Sequence, residues 1–144
     1  MTPKTFRTER IFKASRKNVW RALTEKELMK QWYFDLPEFK AEVGFTFEVT
    51  GGEPGGTQYL HHFEIVEVLP ERKLTHTWCF VGYDGISYLS YELFDEGEYT
   101  KLILTHSGLE TFPADNPDFE YHKFEIGWNG ILDVSLKNFL EQYR

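Results

Sequence analysis

Hydrophobic and polar residues alternate along most of this chain, and the alternation breaks in two places. Phe6 to Phe12 alternates weakly and predicts a first strand, while Val43, Phe45, Phe47 and Val49 predict a second. The two-residue period returns near 57–69, 73–81, 86–94 and 99–107. These four strands are separated by turn residues at Pro70-Glu71-Arg72, Gly82-Tyr83-Asp84-Gly85 and Asp95-Glu96-Gly97. Gly51-Gly52-Glu53-Pro54-Gly55-Gly56 reads as a mobile hairpin loop. In the first break, Ser15 is placed to cap a short helix carrying Val19, Trp20 and Leu23. Thr24-Glu25-Lys26-Glu27 has the capping-box pattern for a second one, with Leu28, Met29 and Trp32.

The second break is the C-terminal stretch, Asn116 to Tyr143, where the period becomes helical. Phe124, Trp128, Ile131, Leu132, Ser135, Leu136, Phe139 and Tyr143 fall on one stripe. Asn116 and Pro117 suit an N-cap and first turn, and Asp118 and Glu120 suit the positive end of the helix dipole. Gly127 sits on the same stripe. A mid-helix glycine costs about 1 kcal/mol relative to alanine, so it needs a reason, either close approach of the sheet or room for a ligand.

If each turn closes a hairpin, Ile65, Trp78, Leu89 and Leu104 form one cross-sheet row, apolar throughout. The rows beside it, Glu64, Cys79, Tyr88, Thr105 and Val66, Thr77, Ser90, Ile103, are mostly polar and read as the solvent face. The inward face then also carries Phe63, Phe80, Ser87, His106 on one side and Glu67, His76, Tyr91, Leu102 on the other. A strand, two short helices, five antiparallel strands and one long helix make an α+β domain, a curved antiparallel sheet with the C-terminal helix across it. One helix covers such a sheet incompletely, which leaves space between the two.

Composition narrows the function. A 144-residue chain is expected to form a single domain, 1–144, with a sizeable core. The 17% aromatic share implies an interior filled by large rings or incompletely filled. A net charge of −7 without a Lys/Arg-rich block argues against nucleic acid and anionic membrane surfaces as partners. Cys79 is the only cysteine, so no internal disulfide forms, which fits a reducing compartment. With no apolar signal core and no stretch of transmembrane length, a cytoplasmic location is the expectation.

Candidate chemistry was sought among the inward polar residues. His61 and His76 lie roughly 20 Å apart along the sheet, and His61 and His106 roughly 14 Å across it, so these histidines cannot share one metal. No metal or cofactor is expected. Cys79 lies in an outward row with no histidine beside it. Ser87 and His106 are neighbours on the inward face, but no Gly-x-Ser-x-Gly elbow surrounds the serine and no acid orients the histidine. Glu67, His76 and Tyr91 form a second inward polar group suited to acid–base work or to a structural network. The glycine-rich loop lacks the lysine and following helix of a phosphate cradle. What remains is the aromatic set Trp32, Phe45, Phe47, Phe63, Trp78, Phe80, Phe124 and Trp128, which reads as plain core or as the lining of an apolar pocket.

The order of motifs resembles a known family. Pro70-Glu71-Arg72-Lys73-Leu74-Thr75-His76-Thr77-Trp78, Leu104-Thr105-His106-Ser107-Gly108-Leu109 and Gly127-Trp128 ahead of Leu132, Leu136 and Leu140 resemble the activator of Hsp90 ATPase homologue 1-like family. Ala14-Ser15-Arg16-Lys17-Asn18-Val19-Trp20-Arg21-Ala22-Leu23-Thr24 and Trp32 match its opening motif. That family lies within the START/Bet v 1-like (SRPBCC) superfamily. The resemblance implies the helix-grip fold and an apolar cavity between sheet and C-terminal helix. Members of the superfamily bind lipids, sterols, polyketides or other apolar molecules, and some are cyclases or hydrolases.

The expected function is therefore non-enzymatic binding of a small hydrophobic or lipid-like ligand. Trp32, Phe63, Trp78, Phe80, Phe124, Gly127 and Trp128 would form the apolar walls, and Ser87 with His106 would orient a polar group. Two rivals remain: a chaperone-regulating domain tied to the stress response, suggested by the family's name, and a small cyclase or hydrolase using the cavity histidines. Monomer and homodimer are both open.

Overall fold

The computed structural model describes residues 2–143. Six antiparallel strands form one sheet in the order β1-β6-β5-β4-β3-β2. They are β1 (Phe6–Phe12), β2 (Thr46–Gly51), β3 (Tyr59–Leu69), β4 (Lys73–Phe80), β5 (Ser87–Glu96) and β6 (Tyr99–Ser107). Two short helices, α1 (Arg16–Thr24) and α2 (Lys26–Met29), follow β1. The chain ends in a helix that lies across the sheet. This is the expected α+β helix-grip arrangement, with the C-terminal helix gripped by a curved sheet.

The inward face is the predicted one: Phe63, Ile65, Leu74, Leu89, Leu102 and Leu104 are all buried, as are Trp78 and Phe80. The registers differ from the symmetric hairpins by two residues, which keeps every side chain on its face but changes its neighbour. His76 pairs with both Ile65 and Leu89, Leu89 pairs with His106, and Trp78 pairs directly with Ser87. Two local causes account for this. At the β5–β6 turn Glu96 pairs with Tyr99, so the loop is Gly97-Glu98, and Gly97 has φ +80° as the first residue of a tight two-residue turn requires. Before β5, the Ile86 N–H donates to Thr111 Oγ1 at 2.9 Å, tying that end of the loop to the chain beyond β6.

Two further departures come from irregular backbone. Between Ile65 and Glu67 the register of β3 slips, leaving Val66 as a bulge. Beyond it the faces exchange, so Glu67 points away from the core and meets Thr75 and Lys73 Nζ, the latter at 3.2 Å. The predicted inward group of Glu67, His76 and Tyr91 is therefore not assembled. Strand β2 begins at Thr46 rather than Val43, because Gly44 takes φ +94° and Val43 is exposed.

The helical segments also refine the expectation. Ser15 caps α1 through the Asn18 N–H at 3.1 Å. Thr24 does not form a capping box, since its hydroxyl donates back to the Trp20 carbonyl at 2.8 Å. Asn116 does cap a turn, but it is the single 3-10 turn Pro117–Phe119; Glu120 is extended and the long helix starts at Tyr121. That helix runs as α3 (Tyr121–Gly130), a π-helical stretch (Ile131–Leu136) and α4 (Lys137–Gln142).

The π stretch has a sequence cause. Its buried residues are Phe124, Trp128, Leu132, Leu136 and Leu140, spaced by four at every step. At 3.6 residues per turn a four-residue step overshoots by about 40°, so an unbroken α-helix would carry this stripe about 160° around its axis. Local unwinding absorbs the drift and keeps all five side chains toward the sheet. Arg10 of β1 fixes the helix at this point, with Nε donating to Asp133 at 2.6 Å and Nη2 to Asn129 at 2.9 Å.

Candidate ligand cavity

Between the sheet and α3 lies a cavity of about 400 Å³. The inner ends of β3 and β4 supply Tyr59, His61, Trp78 and Phe80; the helix supplies Phe124, Gly127, Trp128 and Ile131. Tyr33 and Phe34, just after α2, close one side, and Phe119 of the 3-10 turn closes another. The mouth is formed by the glycine-rich loop between β2 and β3 together with Asp118 and Lys123. A lysine–glutamate pair bridges it, Lys123 Nζ donating to Glu53 Oε1 at 2.6 Å.

The walls are held by ring contacts. Phe80 stacks on Phe119 with centroids 4.3 Å apart, Phe112 on Phe124 at 5.9 Å, and Trp78 meets Trp128 edge-to-face at 5.7 Å. Gly127 lies in the lining and is exposed, and a Cβ built there would meet no heavy atom within 4 Å. Close approach of the sheet is thus not why this residue is glycine. It faces space.

Of the residues expected to contact a ligand, Trp78, Phe80, Phe124, Gly127 and Trp128 line this cavity. Trp32, Phe63, Ser87 and His106 do not. Trp32 lies behind Tyr33, stacked on it at 4.9 Å, and its Nε1 donates to the Ala22 carbonyl at 3.0 Å, tying α2 to α1. Phe63 is fully buried between Phe47 and Trp78, at 4.7 and 5.1 Å. Ser87 and His106 do meet, but behind the wall rather than in it, and both are fully buried.

Their hydrogen bonds settle the protonation state of His106. The Ser87 hydroxyl donates to the Trp78 carbonyl at 3.0 Å, so it must accept from His106 Nε2, 2.8 Å away. Trp128 Nε1, which can only donate, points at His106 Nδ1 at 3.1 Å. The ring is therefore the neutral tautomer protonated on Nε2, with both nitrogens occupied. Burial, aided by nearby His76, brings its pKa down to about 3. Both ring nitrogens of His106 are thus engaged within the protein, and the ring braces Trp128.

The other inward histidines are tied to backbone. His76 Nδ1 donates to the Thr77 carbonyl at 2.8 Å, and burial lowers its pKa to about 4. His61 Nδ1 donates to the Tyr59 carbonyl at 3.0 Å; burial lowers its pKa, partly offset by the carbonyls of Tyr59 and Val49. Among the described residues no group of three or more His, Cys, Asp or Glu is placed to hold a metal ion. Cys79 is half-buried and burial raises its thiol pKa, the opposite of an activated nucleophile.

The cavity residues not anticipated include Tyr33, Phe34, Tyr59, His61, Phe119 and Ile131, and Glu53, Asp118 and Lys123 at the mouth. Tyr59 carried a signal, since it shares the inward parity of His61, Phe63 and Ile65. Phe119 was hidden by the helix being read through it, and Tyr33 and Phe34 lie in a segment with no periodicity.

Comparison with known proteins agrees with this geometry. The family model described as activator of Hsp90 ATPase homolog 1-like protein matches residues 13–141. None of the curated proteins matches the chain. Among solved structures, the Mll3558 protein of Rhizobium loti superposes with a TM-score of 0.80 at 21% identity, covering 96% of this chain and 98% of that one. Protein MLL2253 of Mesorhizobium loti gives 0.78 at 24% identity, with 98% and 99% covered. CalU16 of Micromonospora echinospora gives 0.72 at 22% identity, with 96% and 76% covered. At such identities the likeness concerns the fold. Among the described residues no helix is long and apolar enough to cross a membrane.

Proposed function

The chain belongs to the activator of Hsp90 ATPase homologue 1-like family, and from that footing we propose that it is a binding domain for a small apolar ligand, held between the sheet and α3. The observation that carries this reading is the cavity itself. A space of about 400 Å³ lies within the range of small-molecule sites, and its lining is dominated by aromatic rings. Gly127 supports it further. Helix stability favours almost any other residue there, and a glycine in the lining leaves that stretch of the cavity edge free of a side chain.

The same groups argue for binding over catalysis. The inward histidines are held neutral by burial, and both nitrogens of His106 are already bonded. A cyclase or hydrolase acting through His106 would need one of its nitrogens free to exchange a proton with substrate.

Gly127→Leu tests the reading. A leucine would project into the cavity, so binding of the neutral fluorescent probe N-phenyl-1-naphthylamine should be lost while the circular dichroism spectrum is kept. Retention of probe affinity in a folded Gly127→Leu protein would place the ligand elsewhere.

A further inference from the structure

The charged groups of the cavity are gathered at its mouth, and their balance bears on what the ligand carries at that end. Glu53 and Asp118 stand there with one lysine, Lys123. The lysine is already engaged by Glu53 at 2.6 Å, and Glu53 first, then Asp118 and Glu120, hold its pKa up. The Tyr59 hydroxyl spends its only proton on Asp118 Oδ2 at 2.6 Å and accepts from Asn116 Nδ2 at 3.3 Å. His61, the remaining lining group able to carry a positive charge, has its pKa lowered by burial and so adds none at neutral pH. The mouth is thus net negative, in a protein of net charge −7.

An incoming carboxylate or phosphate would find the one cation paired and two carboxylates opposing it. An ammonium group would find the carboxylate of Asp118, whose Oδ2 is engaged by a single donor, the Tyr59 hydroxyl. We propose that the cavity takes an amphiphile with an apolar, ring-bearing body and a cationic amine at its mouth end, anchored by Asp118. This rests on the binding reading above and adds the ligand's charge to it.

The test is displacement of N-phenyl-1-naphthylamine by three near-isosteric competitors: 2-(2-naphthyl)ethylamine, 2-(2-naphthyl)ethanol and 2-naphthylacetate. At low salt and neutral pH the amine should displace the probe at least about fivefold more tightly than the alcohol, with the carboxylate weakest, since one partly desolvated charge pair contributes on the order of 1 kcal/mol. Asp118→Asn should bring amine and alcohol to within about twofold of each other, and high salt should narrow the same gap in the unaltered protein. If probe and alcohol bind but the carboxylate matches or beats the amine, the amine assignment is overturned and the binding reading stands. If the ratio of amine to alcohol survives Asp118→Asn, Asp118 is not the anchor. If neither the probe nor any competitor binds, the binding reading falls and takes the amine with it.

Discussion

The two ends of the C-terminal helix present the same apolar stripe to the same sheet and do opposite things with it. In α4 and the π stretch, Leu132, Leu136 and Leu140 are fully buried in the core and line no cavity. In α3, Phe124 and Trp128 meet Trp78 and His106 of the sheet and, together with Gly127, border a cavity of about 400 Å³. Periodicity does not distinguish the two halves; side-chain shape does. Leucines fill a seam by interdigitating, whereas rigid rings braced by other rings keep a vault open. A helix stripe in a sequence therefore says which face is inward, and its glycines and rings say whether that face is closed.

The contrast predicts different costs on its two sides. The largest effect should come from acid, which attacks the buried histidines behind the seam and the vault together. Unfolded histidines take up protons near pH 6.5, whereas His76 and His106 in the folded protein do so only near about 4 and 3. Below pH 6.5 the unfolded chain binds protons that the native one refuses, so stability should fall from there toward pH 4, on the order of several kcal/mol in all. Urea melts at pH 7, 6, 5 and 4 would measure it, and a flat profile would show that these rings are charged or exposed in solution.

On the closed side, Leu136→Ala should cost about 2–5 kcal/mol in the same melts, as expected for an emptied core position. At the boundary between the halves, Ser87→Ala removes the acceptor of the His106 Nε2 proton and leaves a buried donor unpaired, which should cost about 1–3 kcal/mol. The smallest effect should be on the open side. A Cβ at position 127 meets no heavy atom within 4 Å, and Gly127→Leu trades glycine for a strong helix former, so the protein should melt slightly higher, by up to about 1 kcal/mol. A destabilised Gly127→Leu protein would mean that the vault is closed in solution and that the two halves are alike.

Much of this was legible in the sequence, for reasons that can be localised. Alternation set the inward parity of β3 to β6, and that parity alone brings Trp78 and Phe80 to the concave side facing Phe124 and Trp128. Register was not legible to better than two residues, because it depends on which glycine adopts positive φ, as Gly97 does, and on a distant hydroxyl, that of Thr111, holding Ile86. The bulge at Val66 carries no compositional mark, so Glu67 was assigned to the wrong face. His106 was paired correctly with Ser87, but its role turned on Trp128, a residue that only the register and the helix placement bring to it. The four-residue spacing from Phe124 to Leu140 was in plain view and does imply unwinding, although a stripe read as three-or-four hides it.

That unwinding bears on how the domain can change over time. A π turn amounts to one residue more than an α turn needs, so it acts as a rotational joint in which the phase of α3 is set independently of the phase of α4. With Arg10 clamping Asp133 inside the joint and Asn129 just before it, the leucine seam keeps its alignment whatever happens upstream. Substitutions that reshape the vault can then accumulate along α3 without forcing the seam to be rebuilt, so a lineage could exchange one guest molecule for another while inheriting the same scaffold.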